Sequence, residues 1–131
     1  MGEELNCPFC LSADGEKVLA SEFCFARWDK YPVTEGHMLI ITNRHIADYF
    51  AVTAQEKTAL WTMVDEGKKL LGECYYKPDG YNIGINVGIA AGQTVMHCHI
   101  HLIPRRSGDS NNPRGGVRGV IAGKADYSRS G

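Results

Sequence analysis

The chain has no long uninterrupted apolar run. Its longest, such as Met38-Leu39-Ile40-Ile41, fall far short of the roughly 18 residues that a bilayer span requires, so no membrane partner is expected. It has no basic start either. Gly2-Glu3-Glu4 is acidic where a secretory signal carries positive charge, which predicts a cytoplasmic location. Neither sign of charge is in excess: 14 Lys and Arg against 15 Asp and Glu give a net charge of -1, which provides no general field for attracting nucleic acid. The cysteines number five, an odd count that together with a cytoplasmic location argues against a disulfide framework. There is no internal repeat and no low-complexity tract. What remains is ordinary globular material: 131 residues, 44% hydrophobic, enough to bury one core, which predicts a single compact α+β domain over residues 1–131.

Against that background the run Met96-His97-Cys98-His99-Ile100-His101-Leu102-Ile103 stands out, because three of the five histidines fall in it at a spacing of two. An extended strand would put the three imidazoles on one face and Cys98, Ile100 and Leu102 on the other. A helix, at about 3.6 residues per turn, would scatter them. Strands are predicted near 17–20, 23–28, 38–42, 82–87 and 95–103, each short, apolar and bounded by turn formers. One long helix interrupts them. It starts at the capping box Thr53-Ala54-Gln55-Glu56, carries Leu60, Met63, Val64, Gly67, Leu70, Leu71 and Cys74 at helical spacing, and stops by Lys77-Pro78-Asp79-Gly80. Asn43 is a candidate cap for a shorter helix over 45–50, and 108–123 is expected to be irregular.

A neutral imidazole is a competent nucleophile near pH 7 when its second ring nitrogen donates a hydrogen bond that fixes the tautomer. His99, flanked by His97 and His101, is the best placed of the three. The small residues of Gly88-Ile89-Ala90-Ala91-Gly92 allow close backbone approach, so this loop, with the side chains of Gln93 and Thr94, is a candidate cradle for phosphate oxygens. Cys7-Pro8-Phe9-Cys10 taken alone suits a redox pair or a metal knuckle. Cys24, Cys74 and Cys98 are expected to be small core residues.

The histidine run, followed by Leu102-Ile103 and preceded by Ala91-Gly92-Gln93-Thr94-Val95, resembles the signature of the histidine-triad (HIT) superfamily of nucleotide hydrolases and transferases. A second segment, Gly36-His37-Met38-Leu39-Ile40-Ile41-Thr42-Asn43-Arg44-His45, is similar to the matching stretch of bacterial members, and the likeness spans about residues 5–105, leaving 106–131 as a tail. The resemblance implies an antiparallel sheet packed with one long and one short helix. It implies a reaction at the α-phosphate of dinucleoside polyphosphates or nucleoside phosphoramidates, with His99 becoming nucleotidylated and His101, His37 and His97 completing the catalytic set. It also implies that Asp29, eight residues before His37, holds the ribose hydroxyls of a purine nucleotide, and that Asn86 contacts the substrate. Arg27 and Lys30 stand where many nucleoside-binding members carry apolar residues.

Zinc-bearing branches of the superfamily supply their ligands from positions matched here by Cys7, Cys10, His45 and His97, which implies a closed, structural Zn2+ site and no metal at the chemical step. A homodimer through the long helix and a strand is implied too, with Trp61 a plausible contact. Two other classes compete: a zinc hydrolase or hydratase built on strand histidines, and a nucleotide-binding interaction protein whose triad is spent. The tail Pro113-Arg114-Gly115-Gly116-Val117-Arg118-Gly119 suits a solvated terminus. Its arginines, however, are also candidates for binding phosphates beyond the α position, so Arg114 and Arg118 are expected to favour polyphosphate substrates.

Overall fold

A computed structural model of the chain describes residues 6–74 and 77–127; the acidic start Gly2-Glu3-Glu4 lies outside them. Five strands, β1 (Leu19–Ala20), β2 (Cys24–Trp28), β3 (Met38–Thr42), β4 (Gly80–Gly84) and β5 (His99–Arg105), form one antiparallel sheet in the order β1-β2-β3-β5-β4. Among the described residues a single α-helix, α1 (Ala54–Glu73), lies between β3 and β4 in the chain. Among the described residues no helix is long and apolar enough to cross a membrane.

Side-chain alternation divides the sheet into two faces with different jobs. Cys24, Ala26, Met38, Ile40, Ile100 and Leu102 pack with Leu60, Met63, Val64 and Leu71 of α1 to make the main core. The intervening residues Phe25, Leu39 and Ile41 form a second cluster with Cys7 and Phe9, so the N-terminal segment covers the opposite face, where β5 presents His99 and His101. Burial pushes the Cys98 thiol up to about 11 and raises Cys24 as well, consistent with inert core residues; Cys74 is half-buried at the end of α1. All five cysteines are unbridged.

The α1 start is where the capping box predicts it. Thr53 Oγ1 accepts from the Glu56 N–H at 3.0 Å, and Glu56 Oε1 accepts from the Thr53 N–H at 2.8 Å. Arg44 grips the same carboxylate through Nε and Nη2, which holds Glu56 below its usual range. Gly67 brings α1 close to the sheet: an added Cβ would lie 2.8 Å from Met38 Sδ and 3.0 Å from Leu102 Cδ2, both on fully buried residues. Gly67→Val is therefore expected to overpack this contact and cost about 1–3 kcal/mol, read as a lower urea midpoint. A midpoint equal to wild type would show that α1 simply lifts away at no cost.

Three local expectations are corrected. The strand predicted over 95–103 begins only at His99, because the Cys98 N–H pairs with the Ile46 carbonyl and the Gln93 amide holds the Val95 carbonyl, which keeps His97 off the strand. The strand predicted over 82–87 is Gly80–Gly84. No helix covers 45–50: Asn43 Nδ2 donates to the Ser21 and Glu22 carbonyls, and a 3-10 turn at Tyr49–Ala51 is capped instead by Asp48. α1 itself ends at Glu73, ahead of Lys77-Pro78.

The tail is irregular but folds back. Arg105 holds Asp109 through two bonds and Asn82 Oδ1 through a third, and a 3-10 turn at Gly116–Val120 sits against β4. Gly115 has φ of 82°, and a Cβ there would fall 1.7 Å from the Ala125 carbonyl oxygen, so only glycine permits the closure.

Candidate functional site

Hydrogen bonds fix the tautomer of each ring in the histidine cluster. His99 Nδ1 donates to the His97 carbonyl at 2.7 Å, which leaves the lone pair on Nε2. Burial lowers the His99 pKa, only partly opposed by that carbonyl, so the ring is neutral and nucleophilic at neutral pH. The Val33 N–H donates to His37 Nδ1 at 3.2 Å, so the proton of His37 resides on Nε2, 2.9 Å from His101 Nδ1 and 3.4 Å from Asp29 Oδ2. His101 Nδ1 thus accepts, and its own proton sits on Nε2. The chain Val33, His37, His101 ends in an N–H donor beside the nucleophile, since the rings of His99 and His101 are 5.0 Å apart.

Burial is the leading cause that lowers both His37 and His101, with Asp29 opposing it. In the unfolded chain these imidazoles titrate near about 6.5. Their neutral forms, His37 buried and His101 partly so, contribute fully to stability above that value, and the contribution is lost as pH falls below it, because the unfolded state then binds the extra protons. The urea midpoint is expected to hold steady from pH 8 to 7 and to decline below about 6.5, with a shallower decline in His101→Asn. Identical pH slopes in the two proteins would refute this.

Cys7, Cys10, His45 and His97 form a second cluster whose ligand atoms all lie within 4.8 Å of one another. Cys7 Sγ is 3.4 Å from His97 Nδ1, Cys10 Sγ is 3.2 Å from His45 Nδ1, and the two Nδ1 atoms are 3.3 Å apart. Tetrahedral zinc with arms of about 2.0–2.3 Å separates its ligands by about 3.3–3.8 Å, so the donor set and its spacing fit that ion. His97 Nε2 donates to the Thr42 carbonyl at 2.7 Å, which frees Nδ1 as the ligand atom. Both nitrogens of His97 are thereby engaged, and it is the His97 carbonyl, rather than its ring, that reaches His99.

Asp29, His37 and His101 also gather within metal-ligand reach. There the tautomer is wrong for a metal. With Val33 donating to Nδ1, the inward His37 Nε2 carries a proton, and the group is hydrogen-bonded as it stands. This weighs against a zinc hydrolase built on the strand histidines.

The remaining residues divide. Asn86 lines a cavity of about 650 Å³ together with His37, His101 and Ile103. Asp29 both accepts the Tyr31 N–H in a turn and faces His37. Thr94 is exposed on the loop entering the triad. Gln93 is spent inward: its oxygen accepts from the Gly88 N–H and its amide donates to the Ala47 and Val95 carbonyls, so it shapes the loop and offers nothing to a ligand. Arg114 pairs with Asp126, and Arg118 donates to the Lys124 carbonyl with its guanidinium over Tyr127. The tail contributes Val117 and Val120 to the cavity wall, and neither tail arginine is among the lining residues. Sequence reasoning missed these two valines, and it missed Phe9, whose ring packs against both His97 and His99. The one signal for Phe9 was its place inside the CxxC.

The HIT domain family model matches residues 11–108. The chain is 34% identical over 102 residues to the bis(5'-adenosyl)-triphosphatase of Dictyostelium discoideum, covering 78% of this chain and 68% of that protein. It is 38% identical over 78 residues to the asymmetrical bis(5'-nucleosyl)-tetraphosphatase of Schizosaccharomyces pombe, covering 60% of this chain and 42% of that longer protein. Among solved structures, a Zn-bound histidine triad family protein from Mycobacterium smegmatis superposes with a TM-score of 0.73 at 32% identity, over 82% of this chain and 80% of that one.

Proposed function

Because this chain belongs to the HIT domain family, we propose that it is a nucleotide hydrolase or transferase that works through a covalent intermediate on His99. The observation that carries this reading is the 2.7 Å bond from His99 Nδ1 to the His97 carbonyl, which leaves Nε2 as the free nucleophilic atom on the face shared with His101. Nε2 attacks the α-phosphorus, an N–P bond forms, and the bond from phosphorus to the leaving group breaks with its electron pair. The positive charge that develops on the His99 ring is stabilised through Nδ1–H by the His97 carbonyl. In the second step the oxygen of water, or of another acceptor, forms a new bond to phosphorus as the N–P bond breaks and returns its electron pair to His99 Nε2, and the acceptor's proton passes to solvent.

His101, as the Nε2–H donor at the end of the chain from Val33 and His37, stabilises negative charge on the phosphoryl or leaving-group oxygens. Backbone N–H groups of the 88–94 loop, Asn86 and Thr94 contact the phosphate, and Asp29 accepts from the ribose hydroxyls of a purine nucleotide. Substrates are dinucleoside polyphosphates, which the names of the two relatives support, or nucleoside phosphoramidates, which the same attack at the α-phosphorus would cleave. Cys7, Cys10, His45 and His97 would hold Zn2+ in a site closed by four protein ligands, which would tie the N-terminal segment to the sheet. The chain works as a cytoplasmic homodimer, for which the edge strand β4 and half-exposed Trp61 of α1 are the natural contacts.

The test is to incubate the protein with diadenosine polyphosphates and adenosine phosphoramidates, quench without acid, and map added mass by peptide. A nucleotidyl group on the His99 peptide supports the reading, and turnover with no adduct at any time point would overturn it.

A further inference from the structure

The segment that carries the CxxC does more than close a metal site. Phe9, between Cys7 and Cys10, is almost fully buried, and its ring stands edge-on to His99 at 4.8 Å between centroids and 76° between planes, while also meeting His97 at 5.9 Å. The Arg27 guanidinium lies over the same ring, 5.1 Å from the Phe9 centroid. Arg27 is only 4% exposed, donates through Nη1 to the Pro8 carbonyl and to Ser12 Oγ, and buries its Nε with no hydrogen-bond partner among the described residues. A guanidinium placed in a core with one N–H unmatched is costly, so the contacts that Arg27 does make have to offset that cost. What it holds here is the segment from Pro8 to Ser12, and with it Phe9.

We infer that Phe9 and Arg27 are positioning residues that clamp the His99 imidazole in its attacking orientation, and that the Cys7/Cys10/His45/His97 centre is the second anchor of the same clamp. The inference rests on His99 being the nucleophile. A ring held by one hydrogen bond at Nδ1 still swings about its Cβ–Cγ bond; an aromatic ring packed against it at 4.8 Å and nearly perpendicular removes that freedom. The segment bearing Phe9 is tied down twice, by Arg27 and by the two cysteines, so the metal centre is mechanically connected to the nucleophile through Phe9 and through the His97 carbonyl.

The experiment uses the full chain as purified with its metal, in the variants Phe9→Ala, Phe9→Leu and Arg27→Met. Phe9→Ala is expected to lower kcat by 10- to 100-fold with KM within about threefold and metal content unchanged, Phe9→Leu and Arg27→Met falling between it and wild type. Nitrogen-15 NMR of the imidazoles reads the orientation independently of turnover: wild-type His99 should show one tautomer protonated at Nδ1, and Phe9→Ala a mixture. Chelation of wild type should produce the same mixture, and chelation of Phe9→Ala should add little. Unchanged kcat, a rise in KM alone, or a single Nδ1–H tautomer in every variant would each overturn the clamp; a KM effect alone would make Phe9 a substrate contact. Should Phe9→Ala fail to fold, Phe9→Leu and Arg27→Met decide the question. If no adduct forms on wild-type His99, the proposed reaction fails while the tautomer measurement still judges the clamp.

Discussion

His99→Ala should abolish almost all turnover while leaving nucleotide binding within a few-fold of wild type. In the proposed mechanism the side chain supplies the reacting nitrogen, and it is not among the residues lining the cavity, so its loss falls on the chemical step; removal of the nucleophile from a catalytic triad costs on the order of 10⁶ in kcat. His101→Ala and His37→Ala remove a charge-stabilising donor and its support, for which about 10²–10⁴ is expected. The ordering is the informative part. If His37→Ala were as damaging as His99→Ala, the hydrogen-bond chain through His101 would have to carry more than the stabilisation assigned to it. Steady-state kinetics with a diadenosine polyphosphate, paired with calorimetric binding of AMP, separates the two effects. His99→Ala with a wild-type kcat would remove the mechanism altogether.

What the sequence made legible is what short-range chemistry determines. The start of α1 is written in Thr53 and Glu56, three residues apart, and their reciprocal bonds are present. Strand β3 occupies the predicted 38–42 because Met38 to Ile41 is an apolar run whose two faces are both covered, by α1 on one side and by the Phe25 cluster on the other. The errors share a different cause. Asn43 is a good helix cap by type, but its amide is captured by carbonyls of Ser21 and Glu22, more than twenty residues away. The apolar alternation over 95–103 is genuine, yet the Ile46 carbonyl takes the Cys98 N–H and delays the strand. Gln93 is the right residue type for a phosphate ligand, and only the folded loop reveals that all its polar atoms are committed. Phe9 and Arg27 lay beyond local reasoning entirely, because their roles are defined by residues brought together from the N-terminal segment, β2 and β5.

The double substitution Cys7→Ser with Cys10→Ser should remove one zinc per chain, and the protein should stay folded at room temperature with a much lower Tm. Two of the four proposed ligands would be lost, while the core between α1 and the sheet contains neither cysteine. Zinc-finger peptides, whose metal supplies about 10–16 kcal/mol of apparent binding energy, unfold outright without it. Here the loss is confined to the anchoring of the N-terminal segment, for which about 3 kcal/mol is a reasonable scale, or a drop in Tm of about 10 °C in a chain of this size. Some turnover should survive, because Arg27 still holds the segment that bears Phe9 and part of the population keeps the His99 Nδ1 bond to the His97 carbonyl, as after chelation. Elemental analysis of protein purified without chelator gives the stoichiometry, and thermal scans with and without added zinc give the coupling. A full equivalent of metal in the double variant would mean that the ion lies elsewhere. A Tm unaffected by either chelator or substitution would mean that the four side chains converge without holding a structural ion.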